Sequence, residues 1–428
     1  MNTKRWALAL IILALASFGL GYFLLAQAPR PTLTSSLRPK DNAFKIRAIT
    51  AFISIDPAQV DKNVEGAAQF LNAARSRFQK AGYEVQTIRI ATQPFPEYTR
   101  GLSRVQSRNF MKHLDTLAVQ KGVDLSVGPG IRENEYDFDQ IELLVDVLAQ
   151  AKTTNSSVTV ASPQKGVQIR SIQAAAQVIK HLSTDSKGGI GNFSFAAAAN
   201  CPPGIPFFPT AYQEGASRQF ALAIQSASLV SKAFSSSHSF QEAKAKLKDL
   251  YESQLQPVEV IARDLATSSH WSYEGMDVST APLGEVSIGS AIESLSGVPF
   301  GDHGTLAVAA LITDVIKNLP LKLTGYSGLM IPVMEDATIA RRAAEGHVTL
   351  DKLLMFSSVC ATGIDVAPIP GDTSVEQIYK IILDVATLST KLHKPLAVRL
   401  LVVPGKSVGE MTAFNDPFLV NTKVMSVK

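Results

Sequence analysis

Residues 396–403 read LAVRLLVV, an apolar run interrupted by a single arginine, Arg399. A strand covered on both faces needs such a run, because neither of its faces meets water. A guanidinium in the middle of it needs a carboxylate partner or an anionic ligand, since an unpaired buried charge is expensive. Fold and site are therefore both anticipated in these eight residues. Working outward, similar short runs fall at 45–55, 83–91, 123–127, 157–161, 193–197, 328–333 and 364–368. Between them lie helical patterns at 60–81, 103–121, 138–152, 173–182, 216–235, 240–265, 305–318 and 375–393. In the last of these, Ile378, Ile381, Ile382, Val385, Leu388 and Leu392 follow helical spacing. Alternation of strand and helix over the whole length predicts α/β architecture. Residues 45–428 read as one large α/β domain without an internal linker or repeat, with room for two equivalent halves.

Composition narrows the function classes. The chain has 428 residues, 46% of them hydrophobic and 18% charged, which excludes a disordered or collagen-like protein. Lys plus Arg is 41 against 37 for Asp plus Glu, a net +4 without a basic excess, so no nucleic-acid partner is expected. Two cysteines cannot build a disulfide framework or a cysteine zinc site. Were the domain exported, Cys201 and Cys360 could pair, although sequence cannot give their separation. Residues 6–26 (WALALIILALASFGLGYFLLA) carry no charge and, as a helix, match a bilayer core. Residues 1–27 are thus expected to be a signal anchor or signal peptide, and the Pro/Ser/Thr-rich stretch 28–44 a linker. The predicted protein is a single-pass membrane protein. Lys4 and Arg5 point to an extracytoplasmic domain, while the basic residues on the other flank keep a cytoplasmic orientation open.

Candidate chemistry gathers late in the chain. Strands run into Gly128-Pro129-Gly130, Pro202-Pro203-Gly204, Pro370-Gly371-Asp372 and Pro404-Gly405-Lys406, turns that expose backbone N–H groups. Ligands in α/β folds gather beyond the carboxyl ends of strands. His303, between glycines before the helix expected at 305–318, is a candidate general acid/base. Cys360 is a candidate nucleophile or a small buried hydrophobe. Asp365 joins these two in the expected catalytic set, and Arg399, Lys406, Gly371, Asp372 and Gly405 form the expected substrate cradle. Asp336 suits helix capping. Glu335 and Asp336 with Asp365 and His303 give a weaker divalent-metal alternative, no other cofactor being predicted.

The ordered segments KIRAITAFI, NCPPGIPFFPTAY, FGDHGTLAVAALITDVIK, LMIPVMEDATIARRAAEG, SSVCATGIDVAPIPGDT and LAVRLLVVPGKSVGEM resemble the uncharacterised family called domain of unknown function 711, from Lys45 to the end. The resemblance implies a fold like the glycyl radical enzymes: a ten-stranded β/α barrel of two half-barrels with a loop threaded inside. In those enzymes an interior-loop cysteine does the chemistry, which by analogy of fold points to Cys360. Two departures stand out. Gly325-Tyr326 lacks the arginine and valine that precede the radical glycine, so radical chemistry is not expected. Asp302 replaces the small hydroxyl residue of the family's Gly-x-His-Gly stretch. The expected function is an enzyme acting on a small anionic or carbonyl-bearing metabolite by acid/base or thiol chemistry. The alternatives are a non-catalytic small-ligand-binding domain at the membrane surface and a metal-dependent enzyme. A homo-oligomer is compatible with either.

Overall fold

The computed structural model describes residues 44–427. The expected anchor, and all of the linker but Phe44, lie outside them. No helix of the described residues is long and apolar enough to cross a membrane.

The strands are β1 (Lys45–Ile53), β2 (Val85–Thr92), β3 (Asp124–Ile131), β4 (Thr154–Ser162), β5 (Gly166–Val167), β6 (Phe195–Ala199), β7 (Gln219–Gln225), β8 (Ser272–Asp277), β9 (Gly363–Pro370) and β10 (Leu396–Val403). They form one ten-stranded mixed sheet in the order β8-β7-β1-β2-β3-β4-β6-β10-β9, with β5 beside β4. Five neighbours, β1, β2, β3, β4 and β6, run parallel. At either flank a further parallel pair, β7 with β8 and β10 with β9, runs the opposite way. The two edges of the sheet are joined by one irregular segment, residues 322–333. It exchanges backbone hydrogen bonds with Met276 of β8 at one end, and its Val333 N–H donates to the Asp365 carbonyl of β9 at the other.

Helices α1 (Val60–Lys80), α2 (Arg104–Lys121), α3 (Phe138–Gln150), α4 (Ile169–Asp185), α5 (Ala227–Phe234), α6 (Phe240–Ser269), α7 (Ile288–Ser296), α8 (Thr305–Lys317), α9 (Ala337–Glu345), α10 (Leu350–Phe356) and α11 (Val375–Leu392) follow or precede the strands. The strand period of two explains where they pack. Ile49, Ala51 and Ile53 of β1, Ile88 and Ile90 of β2, and Phe220, Leu222 and Ile224 of β7 face the main core with the helices. The alternate positions are mostly small or polar: Ala48 and Thr50, Thr87 and Arg89, Ala221 and Ala223, with Phe52 the large exception. That second face is covered by the chain itself. The connection between β6 and β7, residues 200–218, runs across it and packs Ile205, Phe207, Phe208 and Ala211 on those alanines. It is tied down by Thr50 Oγ1 donating to the Pro206 carbonyl (2.9 Å) and Ser126 Oγ donating to the Ala211 carbonyl (2.7 Å). Large side chains at the alanine positions would leave no room for it.

Two expected elements differ, and one strand is unexpected. Residues 216–235 were expected as one helix, but Gln219–Gln225 is β7 and only Ala227–Phe234 is helical. A short apolar run such as FALAI has no period that separates strand from helix. The strand expected at 328–333 is the irregular joining segment, interrupted by Ser327 and Gly328. β8, SYEGMD, has too few apolar residues to read as a strand.

Candidate functional site

Because polar residues occupy the inner positions of the strands, the sheet encloses charge. A cavity of about 500 Å³ is walled by Arg47 (β1), Arg89 (β2), Asp124 (β3), Asp365 (β9), Arg399 (β10) and Glu335. Its exposed rim includes Lys152 and Lys187, just before β4 and β6, so it opens where the five parallel strands begin. The carboxyl-end turns were the expected location; the connection 200–218 fills the inside of the sheet instead and leaves the opposite end hollow.

The three guanidiniums have different surroundings. Arg399 donates from Nε to Asp365 Oδ1 and from Nη2 to Glu335 Oε1, both at 2.7 Å. Burial works against its charge, but the two carboxylates outweigh that and hold it above its ordinary value. Arg89 has a 12% exposed side chain with only a distant ion pair, 3.6 Å to Asp124. Burial pulls it down to about 10, so it remains cationic at neutral pH. Arg47 is 8% exposed and donates to a neutral group, the Gln86 amide oxygen, at 3.2 Å. Among the described residues no carboxylate lies within ion-pair range of it. Burial lowers its affinity for the proton, Glu335 offsets this from a distance, and Arg399 adds to the lowering. Each arginine also lies over an aromatic ring: Arg47 over Phe418 (5.0 Å), Arg89 over Phe208 (4.8 Å) and Arg399 over Phe193 (5.0 Å). Such contacts orient a cation without neutralising it.

The inner end is less polar. Phe207, Ala281 and Met330 line it beside the hydroxyls of Thr210, Thr362 and Tyr326. Tyr326 is delivered there by a turn fixed on a buried aspartate: Asp277 accepts from the backbone N–H groups of Tyr326 (2.7 Å) and Ser327 (2.9 Å). Gly325 has φ +64, and a Cβ on it would collide with the Asp277 carboxylate. The Tyr326 hydroxyl is 2.8 Å from Thr210 Oγ1 and 3.5 Å from Cys201 Sγ.

Of the expected site residues, Arg399 and Asp365 meet in this cavity, and the expectation of a carboxylate beside Arg399 is met twice. His303 is exposed on the turn before α8 and does not line the cavity. Its neighbour Asp302 pairs with His347 Nδ1 at 2.9 Å. Cys360 is 1% exposed within the apolar core and also lies outside the lining. The cysteine on the segment running inside the sheet is Cys201, whose thiol is pushed up to about 12 by burial. Both cysteines are free. The Gly371 N–H is spent on the Lys406 carbonyl (3.1 Å), and Asp372 is exposed. Lys406 borders a smaller neighbouring cavity of about 390 Å³, which shares Lys187 and Ile190 with the first. Gly405 lies in the lining of neither.

Asp336 caps two helices rather than holding a metal. Its Oδ1 accepts from Thr338 and Ile339 N–H at the start of α9, and its Oδ2 from Ile288 and Gly289 N–H at the start of α7. Among the described residues no three His, Cys, Asp or Glu side chains are grouped to hold a metal ion. Arg47 and Arg89 were missed, yet VQTIRIAT, and KIRAITAFI after its leading Lys45, carry the signal used for Arg399, a basic residue inside an apolar strand.

A UPF0210 protein of Desulfovibrio desulfuricans is 31% identical over 381 residues, 81% of each chain. A UPF0210 protein of Pyrobaculum aerophilum is 29% identical over 395 residues, 85% of this chain and 86% of that one. A solved anaerobic ribonucleotide reductase superposes over 89% of this chain and 72% of its own, with TM-score 0.41 and 8% identity. The family described as Uncharacterised ACR (DUF711) matches residues 40–415, nearly all of the described structure, and the chain belongs to that family.

Proposed function

We propose that this protein binds a small organic anion inside a ten-membered β/α barrel of two five-stranded halves, with Arg47 and Arg89 holding the anionic group. The barrel reading is supported by the segment 322–333, which bonds to both edges of the sheet and supplies the missing fifth member of the second half. The observation that carries the binding reading is Arg47, a buried guanidinium with no carboxylate in ion-pair range among the described residues. An unpaired buried charge is costly, and a guanidinium fork suits an anion, so a bound anion would complete the group. The Asp365–Arg399–Glu335 cluster serves as a fixed wall, its cation already satisfied by two carboxylates. Among the described residues neither histidine nor cysteine lines the cavity, which favours binding over the expected imidazole and thiol chemistry. Asp365 is the one member of the expected catalytic set at hand for proton transfer. Tethering to a membrane through residues 6–26 belongs to the same proposal and is checked by whether the full chain sediments with membranes after a high-salt wash.

The test of binding is isothermal titration calorimetry with inorganic phosphate, succinate and malate. A charge-assisted contact of about 1.5–3 kcal/mol makes Arg47→Met or Arg89→Met weaken binding roughly tenfold to a hundredfold. Unchanged affinity in both variants would overturn the reading.

A further inference from the structure

One hydroxyl joins two arginines of the cavity. Thr87 of β2 lines the wall, and its Oγ1 donates to the Arg47 carbonyl at 2.9 Å. A carbonyl only accepts, so the single hydroxyl hydrogen is committed there and a lone pair is left for a donor. Arg89 Nε fills it at 3.0 Å. The Asp124 carboxylate is 3.6 Å from that same nitrogen, and the Phe208 ring covers one face of the guanidinium at 4.8 Å. Edge and face are therefore held, while the end of the fork is not. The two terminal nitrogens of Arg89 make no hydrogen bond among the described residues, and neither is closed off from solvent. Arg47 spends only Nη1, on Gln86.

The charges around this pair are unbalanced. Arg89 is lowered by burial first, against the pull of Asp124, and the charge of Arg47 adds to the lowering. The two cations thus repel one another, and an anion between them relieves this. At the rim, Lys152 and Lys187 have no ion pair among the described residues. Outside the Arg399 cluster, four cations of the lining share the cavity with two carboxylates, Asp124 and Asp416. A ligand carboxylate brings one charge and two oxygens. A phosphomonoester brings a charge of about −1.5 to −2 and three acceptor oxygens, and it suits the two terminal nitrogens of an arginine taken together.

Resting on the anion-binding reading above, we infer that the anionic group of the ligand is a phosphomonoester, taken end-on by Arg89 beside Arg47, and that Thr87 is the positioning residue that aims Arg89 at it.

The experiment is calorimetry at pH 7.5 on the full chain with methyl phosphate, methyl sulfate and acetate. Methyl sulfate has the shape of methyl phosphate with a single charge, so the pair reads charge alone. The wild type should bind methyl phosphate at least about tenfold more tightly than either monoanion. Thr87→Val should weaken methyl phosphate binding by about fivefold to tenfold, and Thr87→Ser, which restores the hydroxyl, should recover it. In an Arg89→Met background Thr87→Val should cost nothing further, because the hydroxyl acts through Arg89. Methyl sulfate binding as tightly as methyl phosphate would overturn the phosphomonoester and leave anion binding intact. An equal loss from Thr87→Val with and without Arg89, or no recovery in Thr87→Ser, would overturn the role of Thr87. Failure of all three probes and of inorganic phosphate to bind the wild type would overturn this inference and the reading it rests on.

Discussion

Replacing Arg47 by methionine should separate stability from binding. The substitution keeps much of the side chain's apolar bulk and removes a charge whose burial is penalised by several kcal/mol. It forfeits the hydrogen bond to Gln86, about 1.5–3 kcal/mol for a charged donor, and the contact with the Phe418 ring, about 0.5–1 kcal/mol. The balance is a change of about 0 to +2 kcal/mol in stability. For a folded unit of roughly 380 residues the unfolding entropy is about 0.8 kcal/mol per kelvin, so Tm should hold or rise by up to about 3 °C. Arg399→Met is the control with the opposite sign. It leaves Asp365 and Glu335, with side chains 16% and 11% exposed, without their ion-pair partner. Removing one partner from a buried ion cluster costs about 3–5 kcal/mol, a fall in Tm of roughly 4–6 °C. Differential scanning calorimetry at pH 7 without added anion, paired with titration by phosphate, reads both quantities. A drop in Tm for Arg47→Met as large as that for Arg399→Met would refute the reasoning, since Arg47 would then be a structural cation rather than a ligand-holding one.

Three further outcomes follow from the geometry. Native protein at pH 8 should resist thiol alkylation: burial raises the Cys201 thiol to about 12, so thiolate is about one part in ten thousand there and grows only as pH climbs toward that value. Mass spectrometry after a short iodoacetamide pulse checks this, and prompt labelling of Cys201 at neutral pH would contradict it. Asp336→Ala, which uncaps α7 and α9 together, should cost about 2–4 kcal/mol in chemical denaturation, whereas a loss under 1 kcal/mol would deny the double cap. Gly325→Ala forces a side chain into left-handed backbone against the Asp277 carboxylate, and should destabilise by about 1–3 kcal/mol. An unchanged Tm there would mean that the Tyr326 turn is not held as described.

The α/β class was legible because strands buried on their outer face are apolar and short, and the helices between them carry regular spacing. LAVRLLVV matches β10 at both ends, and the residues 375–393 expected as a helix differ from α11 by one residue. The site was legible only where local sequence and final position coincide. Arg399 is conspicuous within its own strand, and Asp365 lies next to it through the parallel pairing of β9 with β10. Glu335 joins them from just beyond the 328–333 run, which reads as a strand but is irregular. His303 and Cys360 were attractive because glycine and small residues surround them, which describes a turn and a tightly packed core as well as a catalytic loop. What sequence could not give is which connection enters the sheet. That connection is 200–218, and the alanines beneath it read merely as weak strand residues until the loop is seen lying on them.

The most direct measurement is a crystal structure of the protein grown with selenate, using the anomalous signal of selenium to locate the oxyanion. The account predicts a peak in the cavity with selenate oxygens within about 3 Å of both the Arg47 and Arg89 guanidiniums, absent in Arg47→Met crystals grown the same way. Selenate bound elsewhere with none between these two arginines, or an Arg47 found paired with a carboxylate, would contradict it.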